Sequence, residues 1–233
     1  MKLGDILKTY RVVDLSKVME PGNVSGPVGA GKRRLEIREF AYPPGETMHQ
    51  VDMESHIGTH VEAPRHFVNA RHGRNGKDIT QLPLESFFGE AVLVNLAGSA
   101  PAHAITEKDV AGFGVRPGDI VFFGNGAHGG QDRPWITREA AEWLARTRIR
   151  MAGIDDTVFP EEPKYLSKDL AGYYTHDAFL SNDIPFIEGL TNLSAVSRGR
   201  FFFFGLVAPI ARLEAFPIRA VAFVPPDGEG EGR

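Results

Sequence analysis

Cysteine is missing from all 233 positions of the chain. Its absence excludes disulfides, thiolate zinc sites, iron–sulfur clusters and a cysteine nucleophile, so any metal must be held by nitrogen and oxygen. A basic excess is missing too. Lys and Arg number 26 against 30 Asp and Glu, a net charge of −4, which argues against nucleic acid as a partner because no surplus exists to neutralise phosphates. Long apolar runs are absent as well. Phe201 to Ile210 is the longest, far short of the ~20 residues that span a bilayer, so it reads as a buried strand and no membrane partner is expected. The N-terminal residues carry neither an apolar h-region nor a small-residue cleavage site, so a cytoplasmic location is expected.

What is present is an ordinary globular composition, 42% hydrophobic and 24% charged, which supplies enough apolar surface for a full core. Strands are expected at Val12 to Leu15, Leu35 to Phe40 and Met48 to Met53, with the Gly/Pro-rich stretch Pro21 to Gly31 separating the first two. Ala91 to Leu96, Asp119 to Phe123 and Arg150 to Asp155 read as further strands. Ile184 to Glu188, Phe203 to Ile210 and Arg219 to Val224 read as late ones. Thr106 with Glu107 and Asp109 has the acidic first turn of a short helix. Thr137 is placed to cap a helix over Arg138 to Arg146, and another helix opens near Thr175. No linker or repeat divides the chain. One α/β domain, richer in strand than helix, is expected over residues 1–224, with a frayed Gly/Glu-rich tail at 225–233.

Two glycine motifs lack their context. Gly26 to Lys32 has P-loop spacing, but Arg33 stands where the Mg²⁺-binding hydroxyl belongs, and no hydrophobic strand precedes it. Gly124, Gly126 and Gly129 follow a strand as a formal G-x-G-x-x-G, yet Gly130 to Pro134 intervene before a helix can start, and Asp155 falls later than the expected acidic residue. A dinucleotide-binding oxidoreductase built on that loop is the rival reading. A serine hydrolase is unsupported, since no G-x-S-x-G is present.

The chemistry concentrates between Ser55 and His66, where His56, His60, Glu62 and His66 fall within eleven positions. Gly58 and Pro64 disfavour one continuous helix there, so an irregular turn could converge His56, His60 and Glu62 on one point. Imidazole with carboxylate suits Zn²⁺, Mn²⁺ or Fe²⁺, and three protein ligands leave room for water. The bland alternative is a polar loop with clustered surface histidines. Much later, His176 and Glu188 flank an apolar helix and strand, and a glutamate ending an apolar strand is costly to bury unless paired or metal-bound. His49, His72, His103 and His128 show no partner pattern. Asp155 either supports the site or caps the following loop.

The run His56-Ile-Gly-Thr-His60-Val-Glu62-Ala-Pro-Arg-His66 resembles the H-x-G-T-H-x-[DE]-x-P-x-H signature of the metal-dependent cyclase family, which includes bacterial kynurenine formamidases and isatin hydrolases. Val13-Asp-Leu-Ser16 resembles its early D-L-S strand, Gly153-Ile-Asp155 its G-[IV]-D strand, His176 with Glu188 and Leu190 its H…E-x-L segment, and Arg219 to Ala222 its closing strand. The resemblance implies a β-rich, barrel-like α/β domain of the swivelling β/β/α type. It implies a first metal on His56, His60 and Glu62, and a second on Glu62, His176 and Glu188, with His66 as the acid/base residue. Two Zn²⁺ per chain, or Mn²⁺ in their place, and a homodimer or larger homo-oligomer are expected on the same ground. The implied activity is hydrolysis of an amide, aryl formamide, cyclic amide or lactone, with a noncatalytic metal-binding relative as the other outcome. Two positions depart from the family's usual pattern: Glu62 stands where Asp is commoner, and Gly189 where the usual E-N-L has Asn.

Overall fold

The computed structural model describes residues 8–25, 32–165, 169–196 and 199–226. Its frame is a nine-stranded mixed sheet. The strands in chain order are β1 (Arg11–Asp14), then β2 (Gly22–Ser25), β3 (Lys32–Tyr42) and β4 (Glu46–Met53), which form a separate antiparallel sheet, then β5 (His60–Glu62), β6 (Phe88–Asn95), β7 (Ala104–Ile105), β8 (Ile120–Gly124), β9 (Trp135–Ile136), β10 (Met151–Asp155), β11 (Phe186–Leu190), β12 (Arg200–Phe204), β13 (Ala215–Pro217) and β14 (Val221–Val224). Across the large sheet the order is β1-β14-β12-β6-β8-β10-β11-β5-β13, while β7 and β9 pair with each other.

That order forces the sheet to curl. β13 and β14 stand seven strand spacings apart, about 34 Å if the sheet were flat. Yet only Ile218, Arg219 and Ala220 connect them, a reach of at most about 14 Å. The two ends must therefore approach, and backbone bonds stitch the seam: Leu15 N donates to Ala220 O at 2.8 Å, and Ile218 N to Thr59 O at 3.0 Å. One apolar cluster accordingly draws on both ends of the sheet, with Val13, Leu15, Phe122, Ile187, Phe203 and Val224 packed inside the curl.

The outer face carries the helices α1 (Arg65–His72), α2 (Glu107–Ala111), α3 (Arg138–Thr147) and α4 (Tyr174–Leu180). A second cluster lies beneath them, including Val94, Val121, Phe123, Leu144, Phe179 and Phe186. Central strands are thus covered on both faces, which is why Ala91 to Val94 in β6 and Ile120 to Phe123 in β8 read as unbroken apolar runs. Phe122 turns inward and Phe123 outward, as the period of two requires.

The expected caps are present. Thr106 accepts from Asp109 N, Asp109 Oδ2 accepts from Thr106 N at 2.8 Å, and Thr137 accepts from Ala140 N at 3.3 Å. Three expectations are corrected. The strand expected over Phe203 to Ile210 is β12, which ends at Phe204; Gly205 and Pro209 break the extended run beyond it, and Leu206 and Ile210 are exposed. The stretch that separates the early strands itself contains β2, whereas residues 26–31, with most of the P-loop-like run, lie outside the described residues. The run from Ser55 to His66 is neither one helix nor wholly irregular: it is a turn, then β5, then the first turn of α1. Among the described residues no helix is long and apolar enough to cross a membrane.

Candidate metal centre

β5 is three residues long and lies between β11 and β13. Its alternation sends Val61 into the inner core and aims His60 and Glu62 at the opposite face. β11 pairs with it antiparallel, placing Glu188 opposite His60 and Phe186 opposite Glu62. Helix α1 starts directly after β5 and returns His66 over this face, while α4 supplies His176. The two helices are tied by His72 Nε2 and Asp177 Oδ1 at 2.7 Å. His56 arrives from the turn before β5. Gly58 in that turn has φ 58°, and Gly189 in β11 has φ 74°, a left-handed conformation that Gly adopts freely and Asn better than most. A Cβ on Gly189 would also meet Gly58 O at 2.5 Å. The Gly in place of the family's Asn therefore suits this backbone.

Glu62, 2% exposed, is the hub. Its Oε1 lies 3.1 Å from His56 Nδ1, 3.6 Å from His66 Nε2 and 3.9 Å from His60 Nε2; its Oε2 is 3.5 Å from His176 Nε2. Glu188 stands 3.9 Å from His60 Nε2 and 3.8 Å from His176 Nε2. All six residues singled out in the sequence thus converge. Two triads have donor atoms within 4.8 Å of one another, His56–Glu62–His66 and His60–Glu62–Glu188, a grouping that cuts across the two sets the resemblance implies while keeping Glu62 common to both.

Three of the four histidines are held from behind. His176 Nδ1 meets Glu161 Oε1 at 2.7 Å, His56 Nε2 meets Glu214 Oε1 at 3.4 Å, and His60 Nδ1 meets Gly58 O at 3.3 Å. In each case the other ring nitrogen faces Glu62 or Glu188. That is how a protein fixes the tautomer and aim of metal-binding imidazoles. His66 has no such acceptor among the described residues, and its side chain is 33% exposed.

A divalent cation fits these residues. His60 Nε2 and Glu62 Oε2 are buried without a hydrogen-bond partner among the described residues, a costly state for groups aimed at one point. The charges agree. Burial opposes a charged His56, but its hydrogen bonds with Glu214 and Glu62 push it up to about 9. Burial likewise opposes a charged His176, yet Glu161 and Glu62 push it up to about 10. Burial and the Glu62 charge lift Glu188 to about 7. Glu62 stays well below the usual carboxylate range despite burial, because His66 and His176 face it. Carboxylates that draw protons onto imidazoles in this way would also hold a cation in their place.

Glu161 and Glu214 were not legible as site residues. Neither falls in a motif spacing, and only the fold brings them behind the histidines. The remaining histidines lie elsewhere: His49 beside Glu39, His103 beside Asp109, and His128 Nε2 3.1 Å from Ser99 O. Asp155 serves the loop, accepting from Asn125 N at 2.9 Å and Thr157 N at 2.8 Å. Asn125 N is thereby occupied, as is Gly126 N, which donates to Thr157 Oγ1 at 2.7 Å, and no α-helix opens there before Arg138. The context that pyrophosphate binding needs is therefore missing.

The family model Cyclase matches residues 13–159. The chain is 29% identical over 227 residues to the kynurenine formamidase of Erythrobacter litoralis, covering 93% of this chain and 95% of that one. Isatin hydrolase A from Labrenzia aggregata, solved with benzyl benzoate bound, superposes with a TM-score of 0.77 at 21% identity, over 96% of both chains. A predicted metal-dependent hydrolase from Bacillus stearothermophilus superposes with a TM-score of 0.69 at 26% identity, over 92% of this chain and 98% of that one.

Proposed function

The chain belongs to the cyclase family, and from that premise we propose that it is a metal-dependent hydrolase of carbon–nitrogen bonds, acting on an aryl formamide or a cyclic amide. The observation that carries the reading is the asymmetry among the histidines: His56, His60 and His176 are each anchored at one ring nitrogen and aimed with the other, whereas His66 has no such anchor among the described residues and is only partly buried. His56, His60, Glu62, His176 and Glu188 would hold two cations, with Glu62 shared. Zn²⁺ suits the nitrogen and oxygen donors, with Mn²⁺ the alternative. When bound, such ions supply Lewis acidity, bringing the pKa of water toward ~7 and stabilising a developing oxyanion.

The chain's own residues would do the rest. Burial holds the imidazole of His66 below its ordinary value, so near neutral pH it is free to accept a proton. Placed at the open side of the cluster, it would take the proton of the attacking water and return it to the leaving nitrogen. His56 and His176 would hold their aim against Glu214 and Glu161 while the substrate carbonyl turns over. Water is the nucleophile, and no covalent intermediate on the chain is required.

The test combines metal analysis with turnover. Protein purified without added metal should carry about one to two equivalents of Zn or Mn. It should hydrolyse N-formylkynurenine or isatin, lose that activity to a chelator, and regain it with either ion. Lactone hydrolysis in the same screen would widen the substrate class. Bound metal without turnover of any activated amide or lactone would mark a noncatalytic metal-binding relative, and absence of metal after reconstitution would remove the reading.

Assembly into a homodimer or larger homo-oligomer belongs to the same proposal. Ile37, Phe40, Tyr42, Met48 and Val51 are all exposed on β3 and β4 of the small three-stranded sheet, and an apolar patch of this kind favours contact with another protein surface. Light scattering should give a mass that is a multiple of 25.6 kDa. A monomer at micromolar concentration would refute this part alone.

A further inference from the structure

Glu161 is the most deeply buried carboxylate of the described residues, with no exposed surface at all, and the proposed hydrolysis gives it no direct part. It sits in the turn after β10, fifteen positions before the residue it touches. One of its oxygens, Oε1, accepts three bonds: from Thr175 N at 3.2 Å, from His176 N at 3.2 Å and from His176 Nδ1 at 2.7 Å. Thr175 Oγ1 donates to Pro160 O at 2.6 Å, so the same short stretch is tied twice to the start of α4. The other oxygen, Oε2, is buried with no partner among the described residues.

A carboxylate kept dry with one oxygen unmatched is expensive unless something depends on its charge. A neutral acceptor, such as a backbone carbonyl, could hold the ring nitrogen, as Gly58 O does for His60 at 3.3 Å. His176 also differs from His60 in distance and setting. Its ring packs edge-on to Phe186, with centroids 5.4 Å apart, so apolar contact fixes its plane while Glu161 fixes its rotation about that plane. With Nδ1–H committed to Glu161, only Nε2 is left to face Glu62 at 3.5 Å and Glu188 at 3.8 Å.

We propose that Glu161 is a positioning residue that acts through His176, locking the ring in the tautomer whose Nε2 is aimed between Glu62 and Glu188 and setting a carboxylate charge behind it. This rests on the metal-hydrolase reading of the site. Glu161 touches neither substrate nor cation; its effect reaches the site only through the imidazole. Second-layer carboxylates of this kind change metal affinity by about 10- to 100-fold.

The experiment is a competition titration of Zn²⁺ against a chromophoric chelator on the full chain, comparing wild type, Glu161→Gln, His176→Ala and the double variant. Thermal melts of each protein are recorded in excess chelator. The amide oxygen of Glu161→Gln can accept the same three N–H bonds, so its melting midpoint should stay within a few degrees of wild type. Zinc binding should weaken by about 10- to 100-fold for one of the two equivalents. In the His176→Ala background the added Glu161→Gln change should alter zinc affinity less than about twofold, because the ring it acts through is gone.

Wild-type zinc affinity in a folded Glu161→Gln protein would overturn the proposal, as would a loss that persists undiminished without His176. A lowered midpoint with unchanged zinc affinity would make Glu161 a structural tie only, and would also overturn it. The two readings fail separately. If wild type takes up neither zinc nor manganese, both fall; if wild type binds zinc and Glu161→Gln binds it equally well, only the positioning role falls.

Discussion

Replacing Glu62 with alanine should empty the site of metal and lower kcat/KM by about a thousandfold or more, some 4 kcal/mol of transition-state stabilisation. The size of the effect comes from its place. Both close triads contain Glu62, and its two oxygens face different histidines, Oε1 toward His56, His60 and His66 and Oε2 toward His176. Removing it would leave cationic or polar rings around a buried gap with no central charge. Glu62→Asp is the instructive companion. It keeps the charge but withdraws it by one methylene, about 1.5 Å, so metal should remain with weakened affinity. Metal analysis and steady-state kinetics on both variants check this, and an alanine variant that keeps two equivalents would dismiss Glu62 as the shared ligand.

His66→Ala should give the opposite dissociation: metal content close to wild type, and kcat lower by about 100- to 10,000-fold. His66 approaches the cluster through Nε2, 3.6 Å from Glu62 Oε1, but nothing among the described residues holds its other nitrogen. Because burial lowers its pKa from 6.5, protonation of His66 should add a loss of activity below pH 6.5, on top of the dependence that bound water sets nearer ~7. Residual activity of His66→Ala should lack this acid limb. Its position within the His56–Glu62–His66 triad gives the result that would reverse the assignment. Loss of one metal equivalent in His66→Ala would make it a ligand, and leave His56 or His176 to move the proton.

Much of the site was legible because β5 and its flanks are contiguous: His56, His60, Glu62 and His66 lie in one short run whose residue types belong together chemically. The caps at Thr106 and Thr137 were legible for a similar reason, since capping is decided within three or four residues. Glu161 and Glu214 were not, because their partners lie 15 and 158 positions away and no local pattern marks either. β5 and β13 escape a reading by pattern since three residues are too few to display a period of two. The end of β12 is overrun because the apolar run from Phe201 continues past Gly205, where backbone geometry rather than hydropathy stops the strand. The β3–β4 hairpin lies where expected, but its exposure on both faces was not visible from a sequence that mixes apolar and charged residues on each.

The brevity of β5 has one further consequence. A three-residue strand carrying His60 and Glu62 on one side and Val61 on the other has only two settings, and a slip of one residue exchanges them completely. In the wrong setting Val61 would point at Glu188, and the side chains of His60 and Glu62 would be driven into the oily interior beside Leu15 and Ile187. No intermediate register offers half a site. Defects in the seam formed by Ile218 and Thr59 should therefore act as a count of working molecules. A damaged preparation would contain fewer competent chains, each turning over at the full rate, so active-site titration would fall in step with bulk activity while KM stayed constant.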